Sequence, residues 1–186
     1  MKKLYIEGTN ATENGNLRAA FSKLLEKELK GNMPRIVMGD GISTTVDKFS
    51  TSPAERGEER FLLVDSDAPM PEDKQNLIEK LKAQHPDTPI VVEPNVDNSY
   101  FMVQEAEAWL MSQPDVLKQR GVNEKYLPKR PIQAVQKPSE KLYEAYAKSG
   151  KAYHKVSEFS RAFPLLDTAK LKETFPEFKK LIDKLK

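Results

Sequence analysis

Hydrophobic residues fall in short blocks separated by polar stretches, and the spacing inside each block indicates the element it forms. Lys2 to Ile6 reads as a short, mostly buried strand, followed by a polar loop over residues 8–15. Leu17, Phe21, Leu24, Leu25 and Leu29 then recur at helical spacing, and Gly31 stands where a left-handed helix C-cap belongs. Arg35 to Met38 predicts a second strand ending in Gly39-Asp40-Gly41, and residues 43–60, rich in Ser, Thr and charge, predict a weak helix or a mobile loop. Arg60 to Val64 is a continuous apolar run, as expected of a strand buried on both faces of a parallel sheet, and it leads straight into Asp65-Ser66-Asp67. Pro69 and Pro71 open an amphipathic helix carrying Leu77, Ile78 and Leu81. Two further strands are expected, at Pro89 to Val92 and at Tyr100 to Val103, one of them at a sheet edge.

After Val103 the periodicity becomes helical. Ser112-Gln113-Pro114-Asp115 and Thr174-Phe175-Pro176-Glu177 have the form of capping boxes that open helices. Between them, Pro128 to Pro131 reads as a linker, and Pro138 begins a helix with Leu142 and Tyr146 on one face, closed by Gly150. Phe178, Leu181, Ile182 and Leu185 mark the apolar face of a final helix. Strands alternating with helices over the first 105 residues predict an α/β fold with a doubly wound, mainly parallel sheet. The division expected is an α/β domain over 1–110 and a basic helical extension over 111–186 packed on the same domain.

Composition narrows the chemistry. The 186 residues include no Cys and two His, so disulfides, thiolate metal sites and cysteine nucleophiles are excluded, and any bound metal must be held by carboxylates. The longest apolar runs, Phe61 to Val64 and Tyr100 to Val103, are four residues, against the roughly 20 that span a bilayer. The first strand leaves no room for a signal-peptide apolar region, so a cytoplasmic protein with no membrane partner is expected. The net charge of +2 conceals a gradient: residues 1–100 carry 13 Lys/Arg against 17 Asp/Glu, and residues 101–186 carry 17 against 11. Two differently solvated faces explain this, and so does an acidic site opposed to a basic surface.

In an open parallel sheet, ligands bind beyond the carboxyl ends of the strands. Glu7 stands at the end of the first strand, and Asp65 and Asp67 stand at the end of the third. In an extended chain, residues two apart point the same way, so Asp65 and Asp67 together with Glu7 would form a carboxylate cradle for Mg²⁺. Acids at strand ends also serve as N-caps for the following helices. The chain has no G-x-x-x-x-G-K-[ST], no G-x-G-x-x-G after its first strand and no G-x-S-x-G.

The strand ending in Glu7-Gly8 and the later strand ending in Asp65-Ser66-Asp67 resemble the TOPRIM domain of topoisomerases, primases and overcoming-lysogenization-defect nucleases. More narrowly, Ile6-Glu7-Gly8-Thr9, Leu63-Val64-Asp65-Ser66-Asp67, Phe101 to Trp109 and the terminal Phe178-x-x-Leu181 block resemble a bacterial TOPRIM-like family of unknown function, often associated with ATPases and suspected in phage defence. The TOPRIM signature covers about residues 1–105 and the narrower resemblance most of the chain. The resemblance implies that Glu7, Asp65 and Asp67 are catalytic and hold Mg²⁺ or Mn²⁺. It further implies a metal-dependent nuclease, or alternatively a non-catalytic subunit that docks on an ATPase as sensor or toxin component. The stretch Thr9-Asn10-Ala11-Thr12-Glu13 after Glu-Gly departs from the familiar pattern and leaves open whether Glu7 or Glu13 faces the metal.

Glu105, nearest the end of the Tyr100 to Val103 strand, is the candidate for a second metal or an outer ligand. On a helix Glu105 and Glu107 would lie about 200° apart, whereas on an extended strand end both would face the site. Trp109 is expected in the core. Residues 118–161 hold eleven Lys/Arg against four acids, interleaved with Tyr126, Tyr143, Tyr146 and Tyr153. Lys129, Arg130, Lys137, Lys151 and Lys155 are the candidate contacts to a DNA or RNA backbone, although a solvated helical face accounts for the same count. His154 is a candidate general base or a helix cap. A receiver-like domain would need an acidic pair after the first strand, which is not present. A homo-oligomer is compatible with the sequence.

Overall fold

A computed structural model of the chain describes residues 1–11, 15–69, 74–83 and 89–186. Among these, four strands form one sheet: β1 (Lys2–Ile6), β2 (Arg35–Met38), β3 (Glu59–Asp65) and β4 (Ser99–Met102). All three pairings are parallel, in the order β2-β1-β3-β4. The connections are helical: α1 (Leu17–Leu29) joins β1 to β2, α2 (Ile42–Thr51) joins β2 to β3, and α3 (Gln75–Lys82) lies between β3 and β4. The α/β fold with a parallel sheet follows the alternation in the sequence. Because β1 feeds β2 on one side and β3 lies on its other side, strand order reverses between β1 and β3, which places the crevice for a ligand at their carboxyl ends.

Alternation along each strand sorts the core into two layers. Leu4, Ile6, Phe61, Leu63, Tyr100 and Met102 face α1 and the C-terminal helices, while Tyr5, Leu62, Val64 and Phe101 face α2 and α3. The C-terminal half contributes α4 (Glu107–Met111), α5 (Pro114–Gln119), α6 (Pro138–Lys148), α7 (Lys155–Ala162), α8 (Thr168–Thr174) and α9 (Pro176–Leu185). Their apolar side chains join the α1 side of the sheet in one continuous cluster extending from Leu4 to Leu185. Trp109, fully buried as expected, is its hub: Phe178 meets it edge-on at 5.0 Å, with Phe163 at 6.0 Å and Phe21 at 6.3 Å.

Several expectations change. Residues 42–51, weakly patterned, form a full helix because Thr45, Val46, Phe49 and Ser50 share a buried face. Pro89 to Val92 is not a strand. Its chain instead hooks the end of α2, with Val91 N and Val92 N donating to Ser50 O at 2.7 and 3.1 Å, and β4 alone flanks β3 on that side. The helix expected from Pro69 and Pro71 is α3, which begins at Gln75; Pro71 and His85 lie outside the described residues. Lys30 rather than Gly31 takes the left-handed C-cap of α1. Neither capping box forms, since Gln113 and Phe175 are the N-caps and neither caps through its side chain. Gln113 is used to tie α5 to α8, donating to Asp167 O at 3.0 Å and accepting from Asp167 N at 2.8 Å. Glu177 is buried and pairs with Lys74 at 3.1 Å, so it links α9 to the segment before α3.

The hub predicts the energetics of the C-terminal helix. Phe178→Ala removes a fully buried ring from Trp109 and should cost about 3–5 kcal/mol, read as a lowered urea midpoint.

Candidate acidic site at the β1–β3 crevice

Glu7 and Asp65 reach the crevice because β1 and β3 are adjacent and in register, with Ile6 opposite Leu63. Gly8 is needed immediately after Glu7. Its φ is +139°, and a Cβ there would stand 2.6 Å from Leu17 Cδ2 at the start of α1. The Asp65 N–H donates to Glu7 Oε2 at 3.0 Å, and Asp65 Oδ1 accepts from Ala106 N at 2.9 Å. The two acids are thus oriented by backbone amides. Asp65 is 9% exposed.

Glu107 completes the group. It starts α4, is fully buried, and its Oε1 accepts from Tyr153 OH at 3.1 Å and faces Lys155 Nζ at 3.2 Å. Its Oε2 has no hydrogen-bond partner among the described residues. Lys155 Nζ also stands 4.0 Å from Asp65 Oδ2, so one ammonium serves two carboxylates and faces a third at Glu7. Burial raises the pKa of Asp65 well above the usual carboxylate range, with Glu7 and Glu107 adding to it and Lys155 opposing. Burial likewise raises Glu7, helped by Asp67 and Glu107 and opposed by the Asp65 amide and Lys155. For Lys155, burial works against the ammonium, but Glu107 and Asp65 outweigh it and hold the pKa above that of an ordinary lysine.

Asp67 does not lie beside Asp65 on an extended strand, because β3 ends at Asp65 and Asp67 has φ +50°. That turn is pinned by Asp67 N to Gln104 O at 2.9 Å and Gln104 N to Ser66 Oγ at 2.8 Å, with Gln104 also left-handed at φ +57°. Non-glycine residues in this region cost about 1 kcal/mol or more each, so the turn is imposed by its surroundings. Asp67 is exposed at the rim, close enough to Glu7 to influence its charge. Glu13 lies outside the described residues, and Glu7 is the acid the structure places in the crevice.

Glu105 is engaged elsewhere. Its carboxylate sits on the N-terminus of α6, accepting from Ser139 N at 2.6 Å and Ser139 Oγ at 2.9 Å, where the first-turn amides need an acceptor. Glu105 precedes α4 and Glu107 opens it, so the two diverge, and the inner position belongs to Glu107 rather than Glu105. A clue was present in the sequence. Glu107 lies between Ala106 and Ala108 and two residues before Trp109, a setting that buries a charge and therefore demands a partner.

The basic residues divide. Lys155 belongs to the acidic site, and Lys137 pairs with Glu140 at 2.6 Å. Lys129, Arg130 and Lys151 are exposed, with no ion pair among the described residues. His154 is the N-cap of α7, exposed and without a side-chain cap bond.

Among the described residues, no three Asp, Glu or His side chains are spaced to ligate a metal ion. By donor type the group nevertheless suits a hard cation: three carboxylates, two of them destabilised as anions by burial, and a buried oxygen on Glu107 without a partner. Lys155 occupies the position where positive charge is required. No described helix is long and apolar enough to cross a membrane.

A parallel α/β sheet with an acid cluster at its switch point thus defines the class of architecture. The chain belongs to the family described as a domain of unknown function, DUF4276, whose model matches residues 7–186. No curated protein and no solved structure matches the chain.

Two measurements check this geometry. The raised pKa of Asp65 means that the folded state holds its proton more tightly than the unfolded chain, whose carboxylate titrates near 3.8, so this group's contribution to stability declines as pH rises from there through the folded value. Asp65→Asn should therefore flatten that decline and raise the denaturation midpoint at pH 7 in EDTA, while the Asn oxygen still accepts from Ala106 N. Glu105→Ala should cost about 0.5–2 kcal/mol by uncapping α6, seen as a lower melting temperature with no change in divalent-cation affinity.

Proposed function

We propose that the chain is a metal-dependent phosphodiesterase acting on nucleic acid, DNA or RNA, that works in the cytoplasm with an ATPase partner in phage defence. The observation that carries this reading is the convergence of Glu7, Asp65 and Glu107 at the crevice between β1 and β3, with one oxygen of Glu107 buried and unpartnered. The resemblance of the Glu7-Gly8 and Asp65-Ser66-Asp67 segments to TOPRIM sequences supports it.

Glu7, Asp65 and Glu107 are not spaced to ligate an ion while Lys155 lies between them, so to hold Mg²⁺ or Mn²⁺ they would have to draw together as Lys155 withdraws, with Asp67 at the rim. When bound, such an ion supplies Lewis-acid charge at a phosphate and lowers the pKa of water. The chain's own residues account for the rest. Backbone amides fix Glu7 and Asp65, and Tyr153 and Lys155 fix Glu107 Oε1. Glu7 uses Oε2 to accept from Asp65 N, which fixes the orientation of its carboxylate. Lys155, half-exposed at the mouth, offers a cation to a phosphate entering the crevice. Lys129, Arg130 and Lys151 are the exposed bases available to a backbone farther away.

Lys155 also favours a second reading. An acid cluster already balanced by its own lysine fits a non-catalytic subunit that docks on an ATPase as sensor or toxin component. A Mn²⁺-dependent nuclease assay on the full chain separates the two. For the first reading, Asp65→Ala and Glu107→Gln should each lower cleavage about 10²–10³-fold with the fold intact, while Glu105→Gln keeps most of it. Equal activity in Asp65→Ala overturns the nuclease; an inert wild-type chain favours the subunit.

A further inference from the structure

Glu7 and Asp65 border a cavity of about 240 Å³ that is lined mostly by apolar side chains. Leu17, Phe21, Met102, Ala106, Val156 and Phe159 line it, drawn from α1, β4, the segment before α4, and α7. Its polar side chains are Thr9 and the three groups that face the crevice, Glu7, Asp65 and Lys155. An apolar cavity of roughly 150 Å³ is large enough to bind benzene and stays dry when empty. The present one is larger and opens onto a cation and carboxylates at the strand switch point, with Phe21 and Phe159 set back in its lining, each 1% exposed.

We infer that this cavity is the seat of a single unpaired nucleobase, belonging to a nucleotide whose phosphate lies over Glu7, Asp65 and Lys155. The inference rests on the phosphodiesterase reading and names its substrate class: single-stranded nucleic acid or a frayed end. The occupant follows from three observations. The volume admits one ring system and excludes a base pair. Apart from Thr9 and the charged groups, the lining side chains are apolar, so the cavity holds a base mainly by van der Waals contact and selects little among bases. Lys155 sits at the junction of the apolar and acidic surfaces, 5.5 Å from the Phe159 ring centre and 3.2 Å from Glu107 Oε1, where a phosphate and its base would part. A base inside a duplex cannot enter without being extracted, which costs a few kcal/mol.

The test uses the full chain with Ca²⁺ and a short oligonucleotide carrying 2-aminopurine, a base that brightens when it leaves the stack. The single strand should bind about tenfold or more tightly than the same sequence as a duplex, with a rise in fluorescence. Val156→Trp, which fills the cavity, should abolish both the rise and the preference while the melting curve stays cooperative. If that variant does not fold, Val156→Met should give the same effects in weaker form, and if neither folds the wild-type comparison decides. Equal binding of duplex and single strand, or no fluorescence change, overturns the base seat. Cleavage by wild type without strand preference overturns the seat and leaves the nuclease; a base signal with no Mn²⁺-dependent cleavage overturns the nuclease and leaves the seat.

Discussion

The ammonium of Lys155 reaches from α7 to Asp65 at the end of β3 and to Glu107 at the start of α4, and much of the arrangement depends on this contact. Charges of one sign brought out of water repel and are poorly solvated, so Glu7, Asp65 and Glu107 could not share a crevice as anions without a cation among them. Lys155 is held in place by α7, which is itself anchored by a buried acid. Glu158 pairs with Arg120 at 3.1 Å and accepts from Tyr146 OH at 2.9 Å, connecting α7 to the end of α5 and to α6. The basic half of the chain therefore contributes one specific cation to the acid site, beyond a diffuse surface charge.

This changes the meaning of the charge gradient along the sequence. Many C-terminal bases are used locally, as in Lys137 with Glu140 and Lys141 with Glu144 along α6. Such exposed pairs are worth little each. Among the described residues, the ion pair that joins the two halves at the site is made by one half-buried lysine with 45% of its side chain exposed.

The sheet was largely legible because each strand is a short block of apolar residues ended by a turn signal. The bounds of β1 and β2 match the sequence pattern, and β3 extends it by one residue at each end. Pro89 to Val92 misled because a short apolar run does not distinguish a strand from a segment that packs one valine and hydrogen-bonds to a helix end. Within the site, Glu7 and Asp65 were legible from their place after strands. Asp67, Glu105 and Glu107 were not, since their directions depend on a left-handed turn at Asp67 and Gln104 and on which acid caps α6. Those are tertiary facts: the turn is fixed by contacts between residues 66–67 and 104, nearly forty positions apart.

The position of α9 has a kinetic consequence. It lies against β4 and α1, its Phe178 closes the ring cluster around Trp109, and the carbonyl of Lys184 accepts from Lys2 Nζ at 2.9 Å. The first strand and residues 176–185 are thus part of one core. During synthesis, β1, α1 and β2 are made well before α7, α8 and α9, which pack on α1. Contacts this distant in sequence slow folding, because the intervening chain must be ordered before they repay its entropy. The Trp109 cluster consequently stays incomplete from the making of Trp109 until Phe178 has followed it, a period in which a chaperone or a partner would meet a surface that the folded molecule conceals.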